Sequence, residues 1–285
     1  MGPTTHDWLE ACGLPPDGWV QISRHVTHLV MAHSESRVFL KQFRHVAQYQ
    51  RERDALSALN GSLPGVPILL HHKDQLRVLL MTACEGVPFA GAPDDDHPAW
   101  ERAGAWLARM HLLPPLPVLV AVDRLPLNSA VELRKTRLLL DLSQQPNQNL
   151  AVRFAYALQK FPWPTSCGIR VPCHRDFEPR NWLWSRDGAV FSVVDFEHVR
   201  ADASAFDVAK VLEACGSASS DRWRRFTTAY WAAGGAFPPD EAIQCAFAHH
   251  AAFTWAWGTR HHDAEWIRRG IAMLEIIERE PIVGR

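Results

Sequence analysis

The chain has 285 residues, enough for two packed halves or one large domain, and its apolar (47%) and charged (21%) fractions are typical of a folded globular protein. Thirty basic and thirty-one acidic side chains give a formal charge of −1, which argues against nucleic acid or an anionic membrane as partner. The sequence shows no membrane-spanning run, no export signal and no C-x-x-C pair, so we expect a cytoplasmic protein with reduced thiols.

The N-terminal part of the sequence predicts a small antiparallel sheet with one helix. Residues 18–43 contain three short β-rich runs separated by polar connections, and Lys41 lies in the third run. Residues 46–59 place apolar side chains at helical spacing and end at an Asn-Gly pair, which is a helix stop signal. Two more apolar runs, 66–70 and 77–82, bracket a turn and complete the expected sheet.

A connector rich in glycine and proline, residues 83–98, separates this part from a mostly helical remainder. We therefore place an N-terminal lobe at residues 1–81, a hinge at 82–88 and a helical C-terminal lobe at 89–285. Helices are predicted at 98–113, 129–142 and 149–161 and over four stretches between about 205 and 280, with strands at 181–184 and 190–196 joined by a turn at 185–188. The expected fold class is α+β.

One motif in the C-terminal part carries chemistry. His174, Asp176 and Asn181 form the pattern H-x-D-x-x-x-x-N, and a Val-Val-Asp segment ends at Asp195 fourteen residues further on. In transfer of a phosphoryl group from ATP to a hydroxyl, Asp176 would orient the acceptor hydroxyl and take its proton. Asn181 and Asp195 would ligate Mg²⁺ through oxygen atoms. The pattern by itself is weak, because three residues at fixed spacing often occur by chance.

Features of the N-terminal part strengthen this interpretation. Lys41 lies on a strand, where its ammonium group would reach the nucleotide phosphates, and Glu52, eleven residues later on a helix, would pair with it. The strand at 77–82 runs into residues 82–86, whose backbone groups could bond an adenine edge. Taken alone, Lys41 and Glu52 could each be a solvated surface charge. The order of all these elements along the chain is what points to a kinase.

On these residues the chain resembles the aminoglycoside phosphotransferase and choline kinase superfamily of small-molecule kinases, over nearly its whole length. The most specific parts are CHRDFEPRNWLW (173–184), VVDFEHV (193–199) and the segment around Asp207. The resemblance implies a protein-kinase-like fold of two lobes, with a small antiparallel-sheet N-terminal lobe and a mainly helical C-terminal lobe. It implies ATP, or GTP, with Mg²⁺ as cofactors. It also implies adenine contacts from the backbone carbonyl of Thr82 and the amide of Cys84, and a structural role for Asp207.

The sequence departs from the kinase pattern at two places. Between the first two strands, residues 23–28 read SRHVTH, so the nucleotide phosphates would be covered by a turn without glycine. After Asp195 and Phe196 comes Glu197 in place of glycine, and no A-P-E segment follows, which argues against a protein kinase. Glu197 fits the small-molecule family, in which an acidic residue at this position assists the metal site or the acceptor.

The resemblance implies an ATP- and Mg²⁺-dependent O-phosphotransferase acting on a small, cationic molecule, with an aminoglycoside or another basic antibiotic as the leading candidate. The alternatives are a metabolic kinase for choline, homoserine or a thiosugar, and a non-catalytic nucleotide-binding protein. We expect a monomer or a weak dimer. Most of the twelve tryptophans are expected in the core, and at least one of the five between residues 223 and 266 is a candidate wall of the acceptor site.

Overall fold

The computed structural model of the chain describes residues 3–15, 17–24, 28–33, 37–89, 92–114, 125–165, 167, 169–185 and 190–279. Two compact units are formed, one by Met1–Pro88 with Asn181–Val199 and the other by Phe89–Arg180 with Arg200–Arg285. Residues 181–199 thus group with the N-terminal part, whereas the sequence analysis places them in the C-terminal lobe. The lobe boundaries drawn from the sequence stay a prediction.

The described residues form ten strands and nine helices. The strands are β1 (Trp19–Arg24), β2 (His28–His33), β3 (Val38–Phe43), β4 (Leu69–Lys73), β5 (Val78–Thr82), β6 (Val87–Pro88), β7 (Val171–Cys173), β8 (Trp182–Trp184), β9 (Phe191–Val193) and β10 (Arg200–Asp202). The helices are α1 (Pro3–Ala11), α2 (Val46–Leu59), α3 (Ala99–Leu112), α4 (Leu127–Ser143), α5 (Gln148–Lys160), α6 (Ala205–Cys215), α7 (Asp221–Ala232), α8 (Asp240–His261) and α9 (Ala264–Arg279). Short 3₁₀ turns lie at Pro179–Asn181 and Phe196–His198.

The first unit is built on an antiparallel five-stranded sheet with the order β1-β2-β3-β5-β4. Successive side chains of a strand point to opposite faces, and β3 is buried on both. On one face, Val38 and Leu40 join Leu9 of α1 in a hydrophobic cluster. On the other face, Phe43 contacts Tyr49 of α2 edge to face, with ring centroids 5.9 Å apart. A polar side chain on the face of β3 that α2 covers is therefore buried away from solvent.

A second, three-stranded sheet in the first unit has the order β6-β8-β9. The loop before β4 lies against it, because the Val193 N–H donates a hydrogen bond to the Gly65 carbonyl at 2.8 Å. Gly65 has φ = +72°, and a Cβ atom there would collide with the Phe191 backbone carbonyl. Glycine at this position thus lets the loop approach β9, the strand that leads to Asp195.

The second unit is mainly helical. The long α8 is buried along most of its length and packs against α5, α6 and α9, while α3 packs against α7. Aromatic side chains fill this core, as in the stacked pair Phe154 and Trp255, whose ring centroids are 4.9 Å apart. The two short strands β7 and β10 pair antiparallel, and β7 lies beside α3. No described helix combines the length and the apolar character needed to cross a membrane.

The α+β class expected from the sequence is confirmed, with several corrections to the elements. Helix α1 and the strands β6, β7 and β10 are absent from the sequence prediction, because each is short and lacks a periodic apolar pattern of its own. The strand expected at 66–70 begins only at Leu69 and runs to Lys73, and the strand expected at 190–196 ends at Val193. Residues 25–27 of the proposed phosphate turn and 186–188 of the turn predicted after β8 lie outside the described residues.

Candidate active site

Lys41 and Glu52 form a buried ion pair in the first unit. Lys41 lies on the face of β3 that α2 covers and is 4% exposed. Glu52 lies on the buried face of α2, one turn from both Tyr49 and Leu56, and is 2% exposed. Lys41 Nζ donates to Glu52 Oε2 at 2.7 Å. The burial of both side chains excludes the alternative of two solvated surface charges.

Two more carboxylates complete this cluster. Lys41 Nζ lies 2.6 Å from Asp195 Oδ1 and 3.6 Å from Glu197 Oε2. Helix α2 holds Glu197 from the other side: Arg51 Nη1 donates to the Glu197 carbonyl at 2.9 Å, and Gln48 Nε2 donates to Glu197 Oε1 at 3.4 Å. Carboxylate oxygens of Glu52, Asp195 and Glu197 lie within 4.8 Å of one another.

The charge of Lys41 is stabilised by these neighbours. Burial alone would lower its pKa, but the carboxylates of Asp195, Glu52 and Glu197 outweigh burial and raise the pKa above its ordinary value. Lys41 therefore remains an ammonium ion at any physiological pH. Even with Arg51 counted beside Lys41, the three carboxylates leave an excess of negative charge, which suits a further cation.

The hairpin of β8 and β9 brings Asn181 and Asp195 to the same end. Trp182 pairs with Val193 in the antiparallel register, and the Val194 N–H donates to the Asn181 carbonyl at 3.0 Å. Asp195 has φ = 71° and ψ = 67°, a left-handed conformation that residues other than glycine rarely adopt. Its side chain keeps 26% of its surface exposed, unlike that of Glu52 or Glu197. A strained, half-buried carboxylate beside a buried lysine is typical of a functional position.

The segment after β5 offers backbone groups at Thr82 and Cys84. Thr82 is fixed to the preceding loop, since its N–H donates to the Ile68 carbonyl at 3.0 Å and its hydroxyl accepts from the Ile68 N–H at 2.9 Å. Ala83 donates its N–H to the Arg37 carbonyl at 2.8 Å. Among the described residues, no backbone carbonyl accepts from the Cys84 amide outside the regular strands and helices. An amide of this kind suits an adenine edge.

In the second unit, Asp176 lies in the loop after β7, and Asp207 of α6 fixes that loop. Asp207 is completely buried, and its two oxygens accept from the N–H groups of His174 at 2.8 Å and Arg175 at 2.6 Å. His111 of α3 lies 3.1 Å from the same carboxylate. Burial alone would raise the pKa of Asp207, but the hydrogen bond with His111 and the nearby backbone N–H donors lower it. These contacts are those of a structural residue.

The Asp176 carboxylate is surrounded by cations of its own unit. Lys210 Nζ lies 2.8 Å from Asp176 Oδ1 and 2.6 Å from Glu178 Oε1. Arg180 Nη2 lies 3.1 Å from Asp176 Oδ2, and its Nε lies 3.4 Å from Glu178. Arg269 Nη2 reaches the other Glu178 oxygen at 3.2 Å. Burial alone would lower the pKa of Lys210, but Asp176 and Glu178 raise it, so this lysine is protonated as well.

A family model described as "Phosphotransferase enzyme family" matches residues 21–243, more than three quarters of the chain. The chain belongs to this phosphotransferase family. The matched residues include both Asp176 and the Lys41 cluster. The family comprises kinases of small molecules, as the resemblance implied. No curated protein sequence matches the chain.

Solved structures of phosphotransferases share the fold. Macrolide 2'-phosphotransferase type I is 18% identical, with a TM-score of 0.67 and coverage of 95% of each chain. The GDP complex of wild-type aminoglycoside 2'-phosphotransferase-IIIa is 14% identical, with a TM-score of 0.71 and coverage of 96% of this chain and 97% of that one. The streptomycin–ATP ternary complex of APH(2")-IIa is 13% identical, with a TM-score of 0.67 and coverage of 100% and 99%. These matches confirm the kinase-like fold implied by the resemblance.

The structure thus brings Lys41, Glu52 and Asp195 together, whereas Asp176 belongs to the other unit. Asp176 and the residues around it were only partly anticipated, since Lys210 and Arg269 were not singled out from the sequence. Lys210 follows Asp207 by three residues and so lies on the same side of α6, which is a signal that the sequence did contain. Arg269 lies 91 residues from Glu178 and has no local signal.

The five late tryptophans fall into three groups by exposure. Trp223 and Trp255 are buried in the core of the second unit, and Trp231 is exposed. Trp257 and Trp266 are partly exposed and lie against each other, with ring centroids 4.6 Å apart. These two are the tryptophans that remain candidates for the acceptor site.

Proposed function

We propose that this phosphotransferase moves the γ-phosphoryl group of ATP or GTP to a hydroxyl of a small molecule. The observation that carries the proposal is the buried cluster of Lys41, Glu52 and Asp195 in a chain of this family. Lys41 would bind the nucleotide phosphates, with Glu52 holding its side chain in place. Thr82 and Cys84 would bind the adenine through backbone groups. Two of the structurally similar proteins hold GDP or ATP, which supports either nucleotide here.

The residues at the end of the β8–β9 hairpin fit Mg²⁺. A hard divalent cation prefers carboxylate and amide oxygens, and Asp195 combines a carboxylate with partial exposure. Asp195 and Asn181 would hold the ion, with Glu197 as a nearby third oxygen donor. Bound Mg²⁺ would supply charge neutralisation at the transferred phosphoryl group. Lys41 would then exchange part of its contact with Asp195 for the nucleotide phosphates.

Asp176 would orient the acceptor hydroxyl and take its proton as the new bond forms. The backbone bonds from His174 and Arg175 to Asp207 hold the loop that carries Asp176 in position. Lys210 and Arg180 stabilise the carboxylate form, which is the form that accepts a proton. With these roles, the chain itself would supply nucleotide binding, metal ligands and a proton acceptor.

Two classes of molecule are candidates for the acceptor. An aminoglycoside or another basic antibiotic is supported by the antibiotics named for similar structures, among them streptomycin. The alternative is a metabolic acceptor of the choline, homoserine or thiosugar type, which the match to a general phosphotransferase family supports equally well. A cytoplasmic location and a monomeric or weakly dimeric state are further parts of the proposal.

Incubation of the purified protein with Mg²⁺, ATP or GTP, and a panel of aminoglycosides, macrolides, amino alcohols and hydroxy acids tests this function. We expect ADP or GDP release together with an acceptor product heavier by about 80 Da, the mass of one phosphoryl group. The Asp176→Asn variant should lose at least ~10²-fold in kcat while its nucleotide affinity is kept. Equal turnover by Asp176→Asn and the wild type would overturn the assigned role. Nucleotide binding without any acceptor-dependent product would favour the non-catalytic alternative.

A further inference from the structure

The charges that face Asp176 in the second unit are balanced. Three carboxylates lie there, Asp176, Glu178 and Glu213, and each has a cationic partner. Lys210 bridges Asp176 and Glu178, and Arg269 Nε lies 2.8 Å from Glu213. The two acidic neighbours of Asp176 are thus already neutralised by the protein itself.

The pKa directions agree with this pairing. For Glu178, burial would raise the pKa, but Lys210 and then the arginines around it lower it. For Glu213, burial alone would again raise the pKa, but His250 and Arg269 lower the pKa well below its ordinary range. Both acids are therefore carboxylates at neutral pH, and both are engaged by cations of the chain. A polycationic acceptor would have to displace these cations before it could use either acid.

The cations around Asp176 differ in exposure. Lys210 has 12% of its side chain exposed, whereas Arg180 has 48% and Arg269 has 26%. The accessible positive charge is therefore carried by the two arginines. A guanidinium group binds a carboxylate or a phosphate through two parallel hydrogen bonds, which gives geometric selectivity as well as affinity.

An aromatic surface holds both arginines in place. The guanidinium carbons of Arg180 and Arg269 lie 5.8 and 5.5 Å from the Trp266 ring centroid, and Trp257 packs against Trp266. A cation over an indole ring is stabilised by the ring's negative face, so the arginines are pre-organised rather than free to swing away. Because Trp257 and Trp266 are partly exposed, they also offer apolar area to a bound molecule.

We propose that the acceptor carries an anionic group, a carboxylate or a phosphate, and that Arg180 binds this group beside the hydroxyl held by Asp176. Arg269, which pairs with Glu178, adds a second positive charge, and the Trp266 ring contacts both guanidinium groups. The inference rests on the proposed transfer to an alcohol and narrows its acceptor to hydroxy acids and phosphorylated alcohols. The inference ranks the polycationic aminoglycosides below these acceptors, because the side chains of Arg180 and Arg269 are more exposed than the carboxylates they pair with.

Titration calorimetry with matched pairs of compounds tests the acceptor class without requiring turnover. D-gluconate is compared with D-glucose, glycerol 3-phosphate with glycerol, and kanamycin serves as the polycation. We expect at least one anionic member to bind ~10-fold or more tightly than its neutral partner, and kanamycin to bind more weakly. Equal binding within both pairs, no binding of either anion, or tighter binding of kanamycin would each overturn the inference.

Variants separate Arg180 from the rest of the site. Arg180→Ala should lose ~10-fold or more in affinity for the preferred anion, and Arg180→Lys should recover part of it because the charge remains. Arg153→Ala is the matched control, since Arg153 is 44% exposed and ion-paired with Glu278 in the same unit. Its anion affinity should equal that of the wild type. Unchanged affinity in Arg180→Ala would contradict the assignment.

The nucleotide is the other source of an anionic group, and its affinity is measured in the same variants. We expect Arg180→Ala to keep the wild-type affinity for ATP. If ATP affinity falls as much as anion affinity, Arg180 serves the nucleotide phosphates and the acceptor inference is wrong. If the anions bind selectively through Arg180 but no acceptor is ever phosphorylated, the anion site stands and the proposed function fails.

Discussion

Lys210 Nζ donates a hydrogen bond to Asp176 Oδ1 at 2.8 Å, and only 12% and 8% of their side chains are exposed. An ion pair this enclosed stabilises the charged form of both partners, since water screens it little. For a carboxylate proposed to take a proton from a hydroxyl, the ammonium group maintains the competent form.

Lys210→Met should lower kcat by at least ~10-fold and leave the KM for the nucleotide near its wild-type value. The physical reason is the loss of the charge that keeps Asp176 ionised and oriented. Lys210→Arg should recover part of kcat, because it restores the charge with a different shape. Steady-state kinetics with the preferred acceptor measures both values, and thermal unfolding monitors whether the variants fold.

Lys135→Met provides the control for Lys210, because Lys135 is a partly buried, ion-paired lysine on α4 in the same unit. Its kcat should match that of the wild type. A Lys210→Met variant that folds and turns over at the wild-type rate would show that the ion pair has no role in the reaction.

Glu52→Gln should raise the KM for ATP by about 10-fold, with a smaller effect on the acceptor KM. Lys41 would keep Asp195 and Glu197 as partners, and without Glu52 its ammonium group would be drawn toward them and away from the nucleotide phosphates. Steady-state kinetics measures both KM values, and nucleotide titrations monitored by calorimetry measure the affinity for ATP. Glu10→Gln, an exposed glutamate on α1, is the matched control and should bind ATP as the wild type does. Equal ATP affinity in both variants would contradict the role given to Glu52.

Asp207→Ala should destabilise the protein by about 3 kcal/mol, measured by urea unfolding. The substitution leaves the N–H groups of His174 and Arg175 and the ring of His111 without their buried acceptor. Asp221→Ala, at an exposed position at the start of α7, should change the free energy of unfolding by less than about 0.5 kcal/mol. Similar losses in the two variants would show that the Asp207 network adds little stability.

The stabilisation by Glu213 should depend on pH. Its pKa in the folded protein lies well below its unfolded value of about 4.3, because His250 and Arg269 outweigh the opposing effect of burial. Below the unfolded value, the unfolded chain binds a proton that the folded chain does not, so stability from this group falls with falling pH. The group contributes fully above about pH 5 and progressively less toward pH 3.

Urea unfolding at pH 7, 5, 4 and 3 tests this dependence in the wild type and in Glu213→Gln. The difference in free energy of unfolding between them should be present at pH 7 and pH 5, where Arg269 pairs with the Glu213 carboxylate, and should shrink below about pH 4. Glu275→Gln, which changes an exposed glutamate paired with Arg279, should show little difference from the wild type at any of these pH values. A constant difference between the wild type and Glu213→Gln across this range would contradict the assigned ion pair.

Much of the candidate site could be predicted from the sequence because its parts lie on short, local elements. Asp176 and Asn181 belong to one motif of fixed spacing, and Lys41 and Glu52 lie on a strand and helix with clear periodicity. The antiparallel β8–β9 hairpin after Asn181 is a local structure. Because Trp182 pairs with Val193, the hairpin places Asp195 close to the start of β8. In each case neighbours in sequence are also neighbours in space.

The charge around the acceptor side could not be predicted in the same way. The composition shows nearly equal numbers of acidic and basic residues, but it does not indicate which of them form ion pairs in the folded protein. Lys210 lies 34 residues from Asp176 and Arg269 lies 91 residues from Glu178. Helix packing in the second unit brings these cations to the catalytic loop, and the anionic acceptor proposed above rests on this long-range pairing.

The sequence by itself determined the fold class, the family and the identity of the residues proposed for catalysis, because motif spacing and periodicity are properties of local segments. Only the tertiary structure decided which charges are buried, which are paired and which remain accessible. Glu52 and Arg180 show the difference: both are charged residues with oppositely charged neighbours, yet one is 2% exposed and the other has 48% of its side chain exposed. Burial and long-range pairing depend on how distant segments pack, and the free energy of a charge depends on both.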